Sequence, residues 1–256
     1  MRKILLMLCL TTSYCLAADK PTSTAQVAAS QRVLVERIAR TYAWRLIEPG
    51  NHAADEEYAG AARQFDRQLA TLVDASKRNA ELADNYGLLG QQWSDFRTLT
   101  NGHADAQGAA KVLESSEDMA WIAEKGSQLW MAAGSHDAHS IELTEHVAAL
   151  SQRLAKIYLL QSAGLKVAFL NKDLVTARAE FLDTAAKLKA LPNNTPSITS
   201  EIALMEMQWG FFQQALDALA ANRSDATLRH NVITTSDRIY EVANSLAERY
   251  QRLNGV

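Results

Sequence analysis

The sequence places five potential metal ligands within eleven positions: His136, Asp137, His139, Glu142 and His146. On a helix, His139, Glu142 and His146 are three and four positions apart, so they share one face and could hold a divalent metal ion. A polar, solvent-facing helix start explains the same pattern, and we favour it because such spacings often arise by chance. Both interpretations stay open at this point.

The sequence lacks the short motifs of the common enzyme classes. It contains no Gly-x-Ser-x-Gly, no glycine-rich phosphate loop and no His-Glu-x-x-His. The acidic group Asp55, Glu56 and Glu57 lies at a predicted helix start, where carboxylates stabilise the helix dipole without a chemical role. We therefore expect a protein that is not an enzyme and carries no cofactor.

The N-terminal residues have the pattern of an export signal. Arg2 and Lys3 precede an apolar run over 4–16, and small residues at the end of that run favour cleavage after Ala17. The run is too short to span a bilayer comfortably. We expect residues 1–17 to be a cleaved signal peptide and the mature protein to lie in the periplasm.

The composition of the remaining chain limits its partners. Both cysteines of the sequence, Cys9 and Cys15, fall within the predicted signal peptide, so the mature protein would have no disulfide and no catalytic thiol. Removal of two basic residues takes the formal charge from −3 to −5. A mildly acidic chain without basic clusters or a second long apolar run predicts no nucleic-acid partner and no membrane span.

Residues of the same type recur 116 positions apart, which indicates an internal duplication. The pairs include Leu34 and Leu150, Arg37 and Arg153, Tyr42 and Tyr158, Phe65 and Phe181, Trp93 and Trp209, and Phe96 and Phe212. Only five tryptophans occur in the chain, so two of them matching by chance is improbable. Later in each copy the offset grows to 120, pairing Ser116 with Ser236, and this predicts a connection four residues longer in the second copy.

Apolar spacings of three and four, interrupted by proline and glycine, predict four helices in each copy. Their expected ranges are 22–48, 53–76, 80–99 and 106–133 in the first copy, and 139–163, 170–191, 197–220 and 226–253 in the second. The predicted fold is all-α: two tandem antiparallel four-helix up-and-down bundles, over 22–134 and 136–254. Whether the bundles stack end to end or pack another way stays open.

The first helix of each copy resembles a known signature. Residues 31–42 (QRVLVERIARTY) and 149–158 (ALSQRLAKIY) are similar to a run in the type IV pili methyl-accepting chemotaxis transducer N-terminal domain, the PilJ-type domain. Phe65 and Phe181 match a downstream phenylalanine of that family. The resemblance covers nearly the whole mature chain as two tandem domains, and it extends to the NarX-like periplasmic sensors of nitrate and nitrite.

The resemblance implies that Arg32, with Arg37 five residues later, lies against a small oxyanion such as nitrate or nitrite, at a dimer interface between two chains. A guanidinium is a planar fork of donors that matches a planar oxyanion and stays charged when desolvated. Ala29 replaces the family's glycine, and Ala148 stands at the position equivalent to Arg32 in the second copy. For Arg37 and Arg153 the alternative, capping or pairing with a carboxylate between helices, is favoured over ligand binding.

Two functions from different classes follow as expectations. The first is a soluble periplasmic sensory or ligand-binding protein that reports to a membrane-bound signalling or envelope protein, with a homodimer allowed by the resemblance. The second is a structural or protein-interaction helical module of the cell envelope without a small-molecule ligand.

Overall fold

The computed structural model describes residues 23–132, 138–221 and 223–253. These residues form eight helices and no strand, so the predicted all-α class is confirmed. The helices are α1 (Thr24–Ile47), α2 (His52–Ser76), α3 (Ala80–Asn101), α4 (Ala106–Ala132), α5 (Ala138–Ser162), α6 (Leu170–Lys189), α7 (Pro196–Ala220) and α8 (Ala226–Leu253). The predicted signal peptide over 1–17 and the junction over 133–137, with His136 and Asp137, lie outside the described residues.

Several helix ends follow from local side-chain chemistry. The side chains of Asn51, Asn79 and Thr195 accept hydrogen bonds from the first free backbone N–H groups of α2, α3 and α7. Pro196 occupies the first turn of α7, where its missing N–H costs nothing. Gly50 adopts a positive φ of 79° in the turn between α1 and α2.

The helices pack as two closed sets of four. Within the first set α1 contacts α2 and α4, and α3 contacts α2 and α4; α5 to α8 repeat this scheme. These are the neighbours expected of two four-helix bundles. The most extensive contact joins the sets, because α1 packs along α5. The two sets therefore lie side by side.

The insertion in the second copy is placed differently from our prediction. Four residues separate α3 from α4, and five separate α7 from α8. The other three extra residues lengthen the helix itself, since α7 has 25 residues and α3 has 22. The prediction of a four-residue longer connection was wrong because most of the added length continues the helical hydrogen bonding of α7.

The repeated aromatics occupy matching interiors. Phe65 lies 4.3 Å from Trp93 between ring centroids, and Phe181 lies 4.1 Å from Trp209. Both tryptophans are buried, with 5% and 6% of their surface exposed. The duplication predicted from the aromatic spacing is thus matched by equivalent packing.

None of the described helices combines the length and the apolar content that crossing a membrane requires.

Candidate functional site

Helices α1 and α5 form the centre of the molecule and position the charged side chains. Residue numbers increase along both helices from one contact to the next: Arg32 contacts His146, and Glu36 contacts Arg153 and Lys156. The two helices therefore run in the same direction. The fourth helix of each copy also reaches the first helix of the other copy, through two buried groups of charges.

The first ion network consists of Arg37, Arg40, Glu57 and Asp237. Arg37 Nε lies 2.7 Å from Glu57 Oε1, and Arg40 Nη1 lies 3.1 Å from Asp237 Oδ1. Arg40 also pairs with Glu57 and donates to Ser236 Oγ at 3.0 Å. Its side chain is fully buried, and that burial lowers the pKa of Arg40 to about 10. This places Arg37 among carboxylates, as the alternative interpretation of its repeated position expected.

The second ion network consists of Arg153, Lys156, Glu36, Glu117 and Asp173. Lys156 Nζ lies 2.7 Å from Glu36 Oε2 and 2.8 Å from Glu117 Oε1, and both Lys156 and Glu36 are fully buried. Arg153 lies within 3.2 Å of all three carboxylates. Burial alone would lower the pKa of Arg153, but these carboxylates raise it above its ordinary value.

The two networks occupy equivalent positions in the duplicated chain. The bases Arg37 and Arg40 correspond to Arg153 and Lys156, and the acids Glu57 and Asp237 correspond to Asp173 and Glu117. Our sequence reasoning singled out Arg37 and Arg153, assigned Glu57 only to the helix dipole, and missed the other residues. The sequence did contain a sign of these networks: each of these charged residues has a counterpart of the same charge at the duplication offset. In each network α1 or α5 binds a helix from its own copy and a helix from the other copy, so the networks join the two copies.

A groove opens between the copies beside the second ion network. We call it the inter-copy groove; its volume is about 360 Å³. It is lined by Arg32, Glu117, Ala120, Trp121, Glu124, His146, Arg153 and Glu180. These residues come from α1, α4, α5 and α6. The exposed ring of Trp121 lies at its surface, with 65% of that side chain accessible.

Arg32 is held in this groove by one end of its guanidinium. Its Nη1 lies 3.0 Å from Glu124 Oε2 and donates to Nδ1 of His146 at 2.9 Å. Burial, followed by the charge of Arg32, lowers the pKa of His146 to about 4, so the imidazole is neutral and can accept that bond. The Nε and Nη2 donors of Arg32 make no hydrogen bond with any described residue. Arg32 and Arg37 share no partner among the residues described, so the structure does not combine the two predicted ligand residues there.

On the opposite side of the α1–α5 pair, the equivalent space is filled. Tyr240 occupies the position equivalent to Ala120, and its ring lies 4.7 Å from the guanidinium carbon of Arg37. The same ring packs against the cluster that contains Ala148, the counterpart of Arg32. The groove side thus has Arg32 and Ala120, and the opposite side has Ala148 and Tyr240 at the equivalent positions. That exchange leaves room for the groove beside Arg32 and Ala120, whereas the Tyr240 ring fills the equivalent space.

The predicted metal ligands are not brought together. His139 Nδ1 lies 3.6 Å from Glu142 Oε2, whereas His146 contacts Arg32. Over the described ranges, no group of three or more histidine, cysteine, aspartate or glutamate side chains is placed to hold a metal ion. His146 instead accepts a hydrogen bond from Arg32 and helps to position it.

A buried carboxyl group lies beside the groove. Glu145 is 3% exposed, and its Oε2 has no hydrogen-bond partner among the residues described. It lines a small, partly open space together with Arg32, Glu124 and Glu142. Burial raises the pKa of Glu145 to about 8. This side chain therefore titrates near neutral pH.

The stability of the protein is expected to fall between pH 6.5 and 8. Glu145 stabilises the fold fully below its unfolded pKa of 4.5 and loses this effect as the pH rises through 8. His146 acts oppositely: its stabilisation is complete above 6.5 and is lost as the pH falls through 4. From pH 4.5 to 6.5 the two groups change the free energy of unfolding in opposite directions, and their effects cancel. Above pH 6.5 Glu145 acts alone and lowers the free energy of unfolding by roughly 2 kcal/mol by pH 8.

Denaturant unfolding at pH 6.5 and 8 measures this slope. Glu145→Gln should flatten it, and Glu142→Gln on the same helix is the control that should not. A slope that survives in Glu145→Gln would show that another group titrates.

A larger cleft of about 660 Å³ lies where α5 ends and α6 begins. In the first copy the equivalent place holds the ion pair of Arg45 and Asp55, at 2.9 Å. In the second copy the counterparts Gln161 and Asn171 form an amide hydrogen bond of 2.7 Å. Of the described residues that line this cleft, Lys166 is the only charged one. It offers weaker recognition of a charged ligand than the inter-copy groove.

Comparison with known proteins found no matching family model, no matching curated protein and no matching solved structure.

Proposed function

We propose that the protein is a non-catalytic binding protein that takes a small oxyanion, such as nitrate or nitrite, in the inter-copy groove. The observation that carries this proposal is the geometry of Arg32. Glu124 and His146 hold its Nη1, and no residue that the structure describes bonds to Nε and Nη2, which form a pair of parallel donors. Two parallel N–H donors match two oxygens of a planar anion and add geometric selectivity to charge attraction.

The charges around the groove set a limit on the strength of binding. Glu117 and Glu124 are each engaged by a cation, whereas Glu180 pairs with no cation that the structure describes. A bound anion would be repelled by Glu180. We therefore expect modest affinity, which suits a sensor that must release its ligand.

The resemblance to PilJ-type and NarX-like domains supports the same function, because it assigns the position of Arg32 to an anion. It also supports the periplasm as the compartment and a membrane-bound signalling protein as the partner. The export signal predicted over 1–17 agrees with this location.

One observation favours a second candidate, a helical interaction module of the cell envelope with no small-molecule ligand. The outer side of α7 exposes large apolar side chains, including Met207 at 60% and Phe211 at 52%. Such a surface needs no ligand in the groove to be useful.

Calorimetric titration with nitrate, nitrite and sulfate separates the two candidates. The wild-type protein should release or absorb heat with at least one anion. Arg32→Ala should abolish that heat, and Arg32→Lys should weaken affinity about tenfold, or about 1.4 kcal/mol, because lysine lacks the two-point geometry. Glu180→Gln should strengthen affinity, since it removes a nearby negative charge.

Arg97→Ala is the matched control, because Arg97 is an exposed arginine paired with Asp66 on an outer helix. Circular dichroism should confirm that each variant is folded. Absence of heat with all three anions at millimolar concentration, or heat unchanged in Arg32→Ala, would remove the anion proposal and leave the interaction module.

A further inference from the structure

Helix α7 carries a second apolar face that no other described helix covers. Its inner face supplies core residues such as Trp209 and Phe212. Its outer face forms what we call the α7 stripe: Ser200, Ala203, Leu204, Met207, Gly210, Phe211 and Gln214, all exposed. The apolar members from Ala203 to Phe211 recur at spacings of three and four over about two turns, the periodicity with which one helix packs against another.

The first copy lacks this stripe, although its α3 is the equivalent helix. The counterparts in α3 are Asp84, Gly87, Leu88, Gln91, Ser94, Asp95 and Thr98. Gln91 and Asp95 stand where the second copy has Met207 and Phe211. Since both copies pack their interiors alike, the interior does not require the apolar outer residues of α7.

The neighbouring helix shows the same change, at a cost in hydrogen bonding. In the first copy Trp93 Nε1 donates to Asp66 Oδ1 at 2.8 Å. In the second copy Leu182 stands at the position equivalent to Asp66, and the buried Nε1 of Trp209 has no partner among the described residues. An unpaired buried donor destabilises the isolated fold. Contact of this outer surface with a partner would offset that loss.

The α7 stripe is flanked by carboxylates that are already neutralised. The pairs are Glu201 with Arg249 at 2.9 Å, Glu206 with Lys189 at 2.8 Å, and Asp217 with Arg178 at 2.8 Å. Each of these flanking carboxylates that the structure describes is therefore compensated by a cation, and a second surface of the same kind would not be repelled by them.

The order of side-chain sizes in the stripe is self-complementary. If two α7 helices lie antiparallel about a twofold axis through Met207, Ala203 faces Phe211 and Gly210 faces Leu204. Each large side chain then meets a small one, which is how facing helix surfaces interdigitate. Gly210 has open space around the position of an added Cβ, so a partner side chain has room there.

We infer that the α7 stripe binds the same stripe of a second copy of this chain, antiparallel, about a twofold axis through Met207. This isologous pairing is the commonest form of protein dimer. It is independent of anion binding in the inter-copy groove.

The size of the surface is sufficient for a stable pair. A helix of 25 residues is about 37 Å long. With α6 about 10 Å away, the outer face of the two helices offers roughly 700 Å², near the ~800 Å² per partner of a standard interface. Val175 and Leu182 on α6 extend the exposed apolar surface, at 69% and 47%.

Sedimentation of the purified protein at several concentrations tests the inference. The wild-type chain should have twice its monomer mass. Phe211→Asp, which introduces the residue of the first copy, should weaken the dimer at least tenfold. Leu88→Asp is the matched control, because Leu88 is 43% exposed at the equivalent position of Leu204 on α3; it should leave the dimer intact.

Cross-linking tests the axis. In a chain with Cys9 and Cys15 replaced by serine, Met207→Cys should form a disulfide between two chains on oxidation, and Gln91→Cys should not. A monomer at all concentrations would overturn the inference, even if the monomer bound phosphatidylglycerol vesicles through this face. A dimer that survives Phe211→Asp and does not cross-link through Met207→Cys would overturn it as well.

Discussion

Replacement of Lys156 by alanine is expected to lower the free energy of unfolding by about 3–5 kcal/mol. Lys156 and Glu36 are both fully buried and lie 2.7 Å apart. Without the ammonium group, the second ion network would hold three carboxylates, of which Glu36 is fully buried, against Arg153 alone. Guanidinium-induced unfolding at pH 7 measures the loss.

Two variants separate this effect from a general sensitivity to charge removal. Arg238→Ala breaks an exposed pair with Glu241 and should cost less than about 1 kcal/mol. Glu36→Gln gives the second ion network the residue found at the equivalent Gln152, so its two bases would then face two acids. That change should cost far less than Lys156→Ala. A loss in Lys156→Ala no larger than in Arg238→Ala would contradict a tightly coupled interior network.

Gly126→Leu is expected to destabilise the protein by about 3 kcal/mol. A Cβ at Gly126 would lie 2.8 Å from the hydroxyl of Tyr86 and 2.7 Å from Nδ2 of Asn85. Tyr86 is 1% exposed and has no room to move away. Thermal and denaturant unfolding measure the loss.

The second copy supplies the compensating change. There Leu246 occupies the position equivalent to Gly126, and Ile202 occupies the position equivalent to Tyr86. Tyr86→Ile should therefore recover at least half of the stability lost in Gly126→Leu. If the double variant is as unstable as the sum of the single variants, the two interiors are not interchangeable at this layer.

The helices and the duplication were predictable because they rest on local patterns. The apolar spacing within each helix can be read from neighbouring residues alone. The recurrence of Phe65, Trp93 and Phe96 in the second half can be read from the sequence by a single offset. Proline and glycine mark the ends. The all-α class needed no knowledge of contacts between distant residues.

The candidate site was predictable only in part. The resemblance selected Arg32, but the sequence did not show that His146, first considered as a metal ligand, holds it. The inter-copy groove depends on an exchange of side-chain size: the first copy has the small Ala120 where the second copy has the large Tyr240. Such an exchange becomes visible only when α1 and α5 are known to lie side by side.

The central position of α1 and α5 has a consequence for how such a protein can diverge. A substitution in either helix disturbs neighbours from both halves at once, so few replacements there are harmless. The peripheral helices touch fewer neighbours, and one half can change its outer face while the other keeps the original. Duplication has in this way produced a shared central helix pair and two outer surfaces that can change independently. Related chains should therefore differ most at the outer faces of their peripheral helices.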